Sequence, residues 1–354
     1  MKRKYWQTIS ASASCSLALK DDGSLVSWGY DGNSQVSNTP SGNDFVATAG
    51  GGYHSLAIKA NGSLVSWGRD DYGQVSNSPS GNDFVAMAGG GSHSLALKAN
   101  GSLVSWGYDE DGQVSNTPSG KGFVAVASGH YHSLALKADG SLVSWGYNAR
   151  GLVSNTPSGN DFVAIAGGFN HSLALKADGS LMSWGDDAYG QVSGTPSGND
   201  FVAISSGFYH SLALKTNGSI VNWGNDGCRQ VSNAPSGNDF VAIAGGGSHS
   251  LALKANGSLV SWGDDDYGQV SKKTSDRIQI PNINTKDIIT SERQIKQQTA
   301  GLDIDYDYKV FASYDEYNEW YQQEYQEALK SIGLETKGVP KPLFLPDKRI
   351  LFIY

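Results

Sequence analysis

The chain has 354 residues, among them 45 glycines and nine tryptophans, with 39% hydrophobic and only 17% charged residues; that apolar content excludes a disordered chain and points to a packed, turn-rich β protein. Acids outnumber bases both up to Ile278 and beyond it, for a formal net charge of −8, which excludes a surface built on phosphate neutralisation and removes nucleic acid from the expected partners. No stretch approaches the ~20 apolar residues of a membrane span, so no membrane partner is expected.

The start, Met1-Lys-Arg-Lys followed by Tyr5-Trp-Gln-Thr-Ile-Ser and Ala-Ser-Ala-Ser-Cys15, superficially resembles a signal peptide with a lipid-modified cysteine. Its apolar stretch is shorter than a signal requires, and the same residues align in frame with a repeat. No signal peptide is therefore expected, and the location is cytoplasmic by default. The two cysteines, Cys15 and Cys228, occupy different places in the repeat, so no disulfide framework is expected.

From Trp6 onward the sequence is periodic. Tryptophan precedes glycine at Trp28, Trp67, Trp106, Trp145, Trp184, Trp223 and Trp262, each 39 residues after the last. A phenylalanine opens the unit at Phe45, Phe84, Phe123, Phe162, Phe201 and Phe240, and Trp6 stands in its place in the first copy. Seven units follow: 6–44, 45–83, 84–122, 123–161, 162–200, 201–239 and 240–278.

One unit reads Phe162-Val-Ala-Ile-Ala-Gly-Gly, His171-Ser-Leu-Ala-Leu-Lys, Ala177-Asp-Gly, Ser180-Leu-Met-Ser-Trp-Gly, then a polar loop ending Thr195-Pro-Ser-Gly-Asn-Asp. The Phe, His and Trp segments are short, apolar and bounded by turn residues, and read as strands. The Ala-Asp-Gly or Ala-Asn-Gly link predicts a two-residue hairpin turn with positive φ. A fourth, marginal strand is expected around Gln191-Val-Ser, before Pro196 marks a loop or edge. Glycines and prolines recurring inside the unit exclude a helical repeat, at about 1 and 3 kcal/mol each.

Short antiparallel strands repeating at about 40 residues match one propeller blade. An open row of small sheets would leave unpaired edges at both ends. The expected fold is therefore an all-β, seven-bladed propeller over 1–278, as a monomer. If a blade begins at the His-Ser-Leu segment, the last blade lacks a strand, and the N-terminal segment from Trp6 to Ala13 should supply it. The competitor for that place is Ile278-Gln-Ile-Pro-Asn-Ile.

Residues 279–300 read as a polar linker. Residues 301–354 read as a small α/β unit: a strand at Asp307-Tyr-Lys-Val-Phe-Ala, a helix opened by the capping box Ser313-Tyr-Asp-Glu316 with Tyr317, Tyr321, Tyr325, Ala328 and Ile332 as its stripe, and a closing strand Arg349-Ile-Leu-Phe-Ile-Tyr354. This unit is expected to attach the propeller to something else.

His54, His93, His132, His171, His210 and His249 stand in register, with Cys15 in the first copy. Zinc needs ligand atoms closer together than neighbouring blades place them, so these histidines are read as structural, each bonding a neighbouring backbone group. His130 with His132 forms a lone His-x-His, on one face if both lie in a strand. The seven tryptophans before glycine are read as core between blades, and the Gly-Gly pairs as crowding or positive φ. Acidic turns such as Asp264-Asp-Asp-Tyr-Gly lack the ligand spacing of a calcium loop. No metal, cofactor or catalytic residue is expected.

The four residues after Trp-Gly change from copy to copy while the strands do not. Tyr30, Arg69, Tyr72, Tyr108, Tyr147, Arg150, Tyr189 and Tyr267 on these loops are the candidate partner-binding residues, because tyrosine and arginine on a rigid frame suit recognition. Drift at unconstrained positions is the other reading of the same variation.

At Gly-Gly-x-x-His-Ser-Leu-Ala-Leu-Lys, Asp-Gly-Ser-Leu-Val-Ser-Trp-Gly and Tyr-Gly-Gln-Val, from Trp6 to Ser271, the chain resembles the regulator of chromosome condensation repeat family in its compact bacterial or archaeal form. That resemblance implies a seven-bladed propeller. It also implies a range of roles, from guanine nucleotide exchange on a small GTPase to light sensing, ubiquitin-ligase modules and secreted effectors, so fold transfers and function does not. The inserted loop and basic tail of the exchange factor are missing from these repeats. The expected function is a non-catalytic scaffold whose propeller loops hold a protein or glycan. The alternatives are a secreted, cell-surface or virion structural or adhesion protein, and an exchange factor for a small GTPase.

Overall fold

The His-Ser-Leu-Ala-Leu-Lys segment is apolar over consecutive positions rather than alternating, which suits a strand buried on both faces. The computed structural model, which describes residues 8–272 and 274–279 and the backbone of 343–344 and 350–351, makes this segment the middle strand of every blade. The first blade consists of β1 (Ile9–Ala11), β2 (Cys15–Leu19) and β3 (Leu25–Gly29), and the second of β4 (Phe45–Gly50), β5 (His54–Lys59) and β6 (Leu64–Gly68). The same antiparallel three-stranded sheet recurs over 84–107, 123–146, 162–185, 201–224 and 240–263, giving seven blades. Contacts separate a unit of Lys2–Pro281 from one holding Met1 and Asn282–Tyr354.

The Leu-Ala-Leu triplet explains how blades stack. In β2, Leu17 and Leu19 pack with Phe45, Ala57 and Trp67 of the next blade, while Ala18 packs with Leu251, Leu253 and Ala244 of the last. Large residues on one face of each middle strand thus meet a small residue and a tryptophan across all seven interfaces, joined by a phenylalanine at six of them and by Ile278 at the closure. Each buried leucine contributes on the order of 1.5–3 kcal/mol.

Three expectations are corrected. The blade begins at the Phe segment, so β1 pairs with β2 of its own blade (Ile9↔Ala18, Ser10↔Leu17, Ala11↔Ser16) and does not complete the last one. The Ala-Asp-Gly link is not a two-residue turn: Gly179 N–H donates to Lys176 O at 3.0 Å, Lys176 N–H donates to Ser180 O at 2.9 Å, and Gly179 alone takes positive φ, +84°. This is the longer turn closed by a left-handed glycine bulge, and Asp178 supports it by accepting the Ser180 N–H at 2.9 Å. The fourth strand around Gln191 is a turn, because Asp187 Oδ1 accepts the N–H groups of Val192 and Ser193, both at 2.8 Å, and leaves no donors there for a sheet.

The two candidates for ring closure turn out to share one strand. In the second blade Phe45 pairs with Lys59, and Ala60 N–H donates to Asp44 O. In the first, Ile278 pairs with Lys20, Asp21 N–H donates to Arg277 O, and Gln279 N–H donates to Leu19 O at 2.9 Å, while Thr8 O accepts the Leu19 N–H at 2.8 Å. The innermost strand of the first blade is therefore spliced from both ends of the repeat region. Ile278, fully buried, fills the place that phenylalanine fills elsewhere. Trp6, read as that residue's stand-in, lies outside the described residues.

Of the C-terminal unit, Leu343–Phe344 pairs antiparallel with Ile350–Leu351. The expected helix from Ser313 and the strand from Asp307 lie outside the described residues, as does the 280–300 part of the linker.

Candidate functional site

Two turns of each blade meet on one face: the turn from the first to the second strand, and the loop after Trp-Gly. Backbone bonds tie them together, as where Arg69 N–H donates to Tyr53 O at 2.9 Å and Asp186 N–H to Asn170 O at 2.7 Å. The second residue of each Trp-Gly loop is Asp31, Asp70, Asp109, Asn148, Asp187, Asp226 or Asp265, and its Oδ1 accepts two backbone N–H groups five and six residues on. This position is a fixed turn former rather than a variable one. The hydrogen bond from the Ser76 amide, joined by that of Val75, holds the Asp70 carboxyl below its usual range.

Under this face the histidines form a belt. Each lies fully or almost fully buried, and its Nε2 is hydrogen-bonded to a serine hydroxyl of the next blade: His54 to Ser94 at 2.7 Å, His93 to Ser133 at 3.0 Å, His132 to Ser172 at 2.7 Å, His171 to Ser211 at 2.9 Å, His210 to Ser250 at 2.8 Å, and His249 to Ser16 at 2.8 Å across the closure. The partner is a side chain, not the backbone group expected, because the serine immediately before the first leucine of the next blade's middle strand lies opposite the imidazole. Burial pushes the imidazoles down to about 4 (His54, His171, His249) or about 3 (His93, His132, His210), so they are neutral at pH 7. Among the described residues no cluster of three or more His, Cys, Asp or Glu is arranged to hold a metal ion.

The tryptophans sit between blades at 4–6% exposure. Each indole Nε1–H donates to a backbone carbonyl of the preceding blade, as Trp67 to Gln35 and Trp28 to Gln269, both at 2.9 Å. The residue supplying that carbonyl, a buried glutamine in six blades, escaped the sequence reading. Its side chain caps the loop, Gln74 Oε1 accepting the Tyr72 N–H at 2.8 Å. In the fourth blade Leu152 replaces it, and the loop there forms a short 3-10 turn, Ala149–Gly151, with Arg150 at φ +62°.

Around the axis, the N–H of one turn donates to a carbonyl of the next: Gly52 to Gly90, Gly91 to His130, His130 to Gly168, Phe169 to Phe208, and Gly247 to Ser12. The Gly-Gly pair is explained by crowding here, since a Cβ on Gly51 would lie 2.3 Å from the His54 ring and 2.8 Å from Gly90 O. The first strands enclose an axial cavity of about 210 Å3, below the usual range for drug-sized ligands.

These repeats are recognised as a family. The family model for the regulator of chromosome condensation (RCC1) repeat matches residues 45–74, 84–113, 123–152, 162–191, 201–230 and 240–269. The chain belongs to the regulator of chromosome condensation repeat family. Solved structures of similar fold include the ectodomain of the receptor kinase CR4 from Physcomitrella patens (TM-score 0.62, 22% identity, 73% of this chain and 72% of that one). The CRINKLY WD40 ectodomain of the receptor kinase ACR4 from Arabidopsis thaliana gives 0.59 and 20%, over 73% and 97%. Prp20p from Saccharomyces cerevisiae gives 0.59 and 22%, over 81% and 89%. At these identities the likeness is one of fold. No curated protein matches the sequence.

Within this repeat-family propeller the candidate loop residues do not gather into one patch. Tyr30 packs edge-on against Tyr267 (4.8 Å between centroids) and Tyr72 against Tyr108 (5.0 Å). Arg69 lies over Tyr53 and Tyr72, and Arg150 pairs with Asp186 at 3.7 Å. Tyr30 and Arg69 also reach an inner-turn residue, Tyr53, but Tyr147 and Tyr189 touch those of the fourth and sixth blades, Tyr131 (5.9 Å) and Tyr209 (5.4 Å). They lead into a cluster that the sequence reading missed, formed with His130, Phe169 and Phe208. His130 is not on a strand face with His132; it lies in the turn before that strand, and its ring stacks on Phe169 at 4.3 Å and 20°. Burial pushes it to about 4. The signal was available in the register two residues ahead of the histidine belt, which reads Ala13, Gly52, Gly91, His130, Phe169, Phe208, Gly247.

Proposed function

We propose that this chain is a non-catalytic protein-binding scaffold, with the face of Trp-Gly loops and inner turns as its recognition surface. The observation that carries the reading is where the repeat departs from itself. Middle strands are nearly unchanged from the second blade to the seventh, whereas side chains on this one face differ from blade to blade and include half-exposed Tyr72, Tyr189 and Tyr267 at 46–52%. Residues presented by loops on a rigid frame are the usual carriers of recognition.

The family supports the same reading at the level of the fold. One similar structure is of Kap60 bound to yeast RCC1 (Prp20), and the study of Prp20p describes binding to Gsp1p and histones. Those partners belong to those proteins.

The test is quantitative affinity capture from the native host, comparing the parent with Tyr108→Ala/Arg150→Ala/Tyr189→Ala. A protein recovered with the parent and depleted at least tenfold with the triple variant, at unchanged circular dichroism, supports the reading. Equal recovery by both removes the loop face from it, and recovery of no partner by either removes the scaffold.

A further inference from the structure

The inner turns of the fourth, fifth and sixth blades carry His130, Phe169 and Phe208 where the other four blades carry glycine or alanine. The backbone does not need these rings. The amide bond to the equivalent residue of the next turn forms with glycine as donor, Gly91 to His130 at 3.0 Å, as it does with phenylalanine, Phe169 to Phe208 at 3.0 Å. Nor are the rings core, being half-buried on the surface of the turn. They form a continuous wall: Phe169 lies 5.2 Å from Phe208 and 5.3 Å from Tyr209, and His130 lies 5.4 Å from Phe208. His130 and Phe208 line the axial cavity together with Gly52 and Gly91. Gly91 has to be small because the His130 ring lies across it, 2.8 Å from where a Cβ would stand. The mouth of the cavity is thus half aromatic wall and half bare backbone, a shape with room for one inserted side chain.

The charges of the same face are divided along the same line. The Trp-Gly loops of the seventh, first, second and third blades (264–272, 30–38, 69–77, 108–116) carry nine acids against Arg69 and Lys272. Those of the fourth to sixth carry Asp186, Asp187 and Asp226 against Arg150 and Arg229. All of the acids of the charged arc but Asp264 are exposed; Asp31, Asp70, Asp109 and Asp265 are held as turn formers, Asp71 pairs with Arg69, Glu110 accepts the Tyr108 hydroxyl, and Asp111 and Asp266 complete the exposed set.

Resting on the scaffold reading above, we propose that this face binds an extended basic segment of a partner protein. One apolar or aromatic side chain of the segment is seated against His130, Phe169 and Phe208, and its lysines and arginines run over the acidic arc. A buried aromatic anchor ringed by polar contacts is how protein interfaces concentrate affinity, and opposite charge steers and orients the approach. Aromatic faces also attract the cationic heads of lysine and arginine.

The probe is a fluorescein-labelled nonapeptide of lysines and serines with a central tryptophan, read by fluorescence anisotropy against the full chain. Saturable binding is expected. It should weaken at least tenfold when the peptide's tryptophan becomes alanine, in Phe169→Gly/Phe208→Gly, and in Asp71→Asn/Glu110→Gln/Asp266→Asn, and vanish when the lysines become glutamates. The glycine variants carry the residue of neighbouring blades at that register, so an unchanged melting curve confirms a folded scaffold. Absence of binding by the parent overturns the proposal, as does equal affinity for the Phe169→Gly/Phe208→Gly variant. So does a neutral oligosaccharide, cellohexaose, that quenches tryptophan-free aromatic signals at Phe169 and Phe208 in NMR spectra while the peptide does not. If capture of a partner depends on the loops and this peptide still fails to bind, the inference falls and the scaffold reading stands.

Discussion

Ser12 Oγ lies 2.8 Å from Cys15 Sγ, and together they occupy the space that a glycine and a histidine share in each of the other six blades. The imidazole lies so close over its glycine that a Cβ on Gly51, Gly90, Gly129, Gly168, Gly207 or Gly246 would fall 2.1–2.3 Å from the ring. A serine at this place therefore requires a smaller side chain three residues on. Ser12 also accepts the Cys15 N–H at 3.1 Å, and burial pushes the thiol up to about 11. The histidine belt is interrupted here, and among the described residues Ser55 Oγ, which would face a histidine at position 15, has no hydrogen-bond partner.

Cys15→His alone is expected to destabilise the propeller by about 1–3 kcal/mol through overpacking against Ser12. Ser12→Gly with Cys15→His should recover that loss and add about 1 kcal/mol from a seventh bond, to Ser55. Urea unfolding of the four proteins measures the coupling. Additive effects of the two changes would show that the pair is not sharing one space.

The neutral, buried histidines make the fold acid-sensitive in a defined window. Unfolded imidazoles take up protons near pH 6.5, whereas the folded ones do so only at about 3 to 4. Their contribution is fully present above 6.5 and is lost as the pH falls from there toward 3 to 4. Each histidine steepens the decline by up to about 1.4 kcal/mol per pH unit. Urea midpoints measured from pH 7 down to pH 4 should fall steeply and recover on return. A flat profile would mean that the belt is hydrated and protonated in the folded state.

Trp145→Ala should cost about 3–5 kcal/mol, by emptying the interface with the third blade. Trp145→Phe should cost about 1–3 kcal/mol, since the Gln113 carbonyl at 2.9 Å would lose its donor. Thermal unfolding of both variants separates volume from hydrogen bonding. Equal losses would make the indole N–H irrelevant.

Ile278 lies outside the repeated strands, yet its removal should act as a core substitution. Ile278→Ala is expected to cost about 2–5 kcal/mol and to speed hydrogen exchange at the amides of Asp21 and Gln279, whose acceptors lie across the splice at Arg277 and Leu19. Protection that persists at both amides would show that the ring is held shut without this residue.

Much of the architecture was legible in advance because the determinants are local. Apolar runs such as His171-Ser-Leu-Ala-Leu-Lys, the tryptophan at the end of each third segment and the glycine of each hairpin mark strands and turns without reference to any neighbour. The candidate site was less legible. Of the loop tyrosines, Tyr147 and Tyr189 border the aromatic cluster, while Tyr30, Tyr72, Tyr108 and Tyr267 pair with one another. His130, Phe169 and Phe208 are 39 residues apart in the sequence, and nothing in one repeat says that its inner turn approaches the next.

What the order of residues by itself determined was the period, the nature of each segment and the number of copies. A period has no beginning, however, so it could not say whether the phenylalanine strand belongs to the blade before it or after it; hydrogen bonding between β1 and β2 decided that. Only the closed ring brings Ile278 beside Lys20, His249 beside Ser16 and three aromatic turns to one side of an axis. Such pairings are set by how twisted sheets pack around a centre, a property of seven blades together and of no single blade.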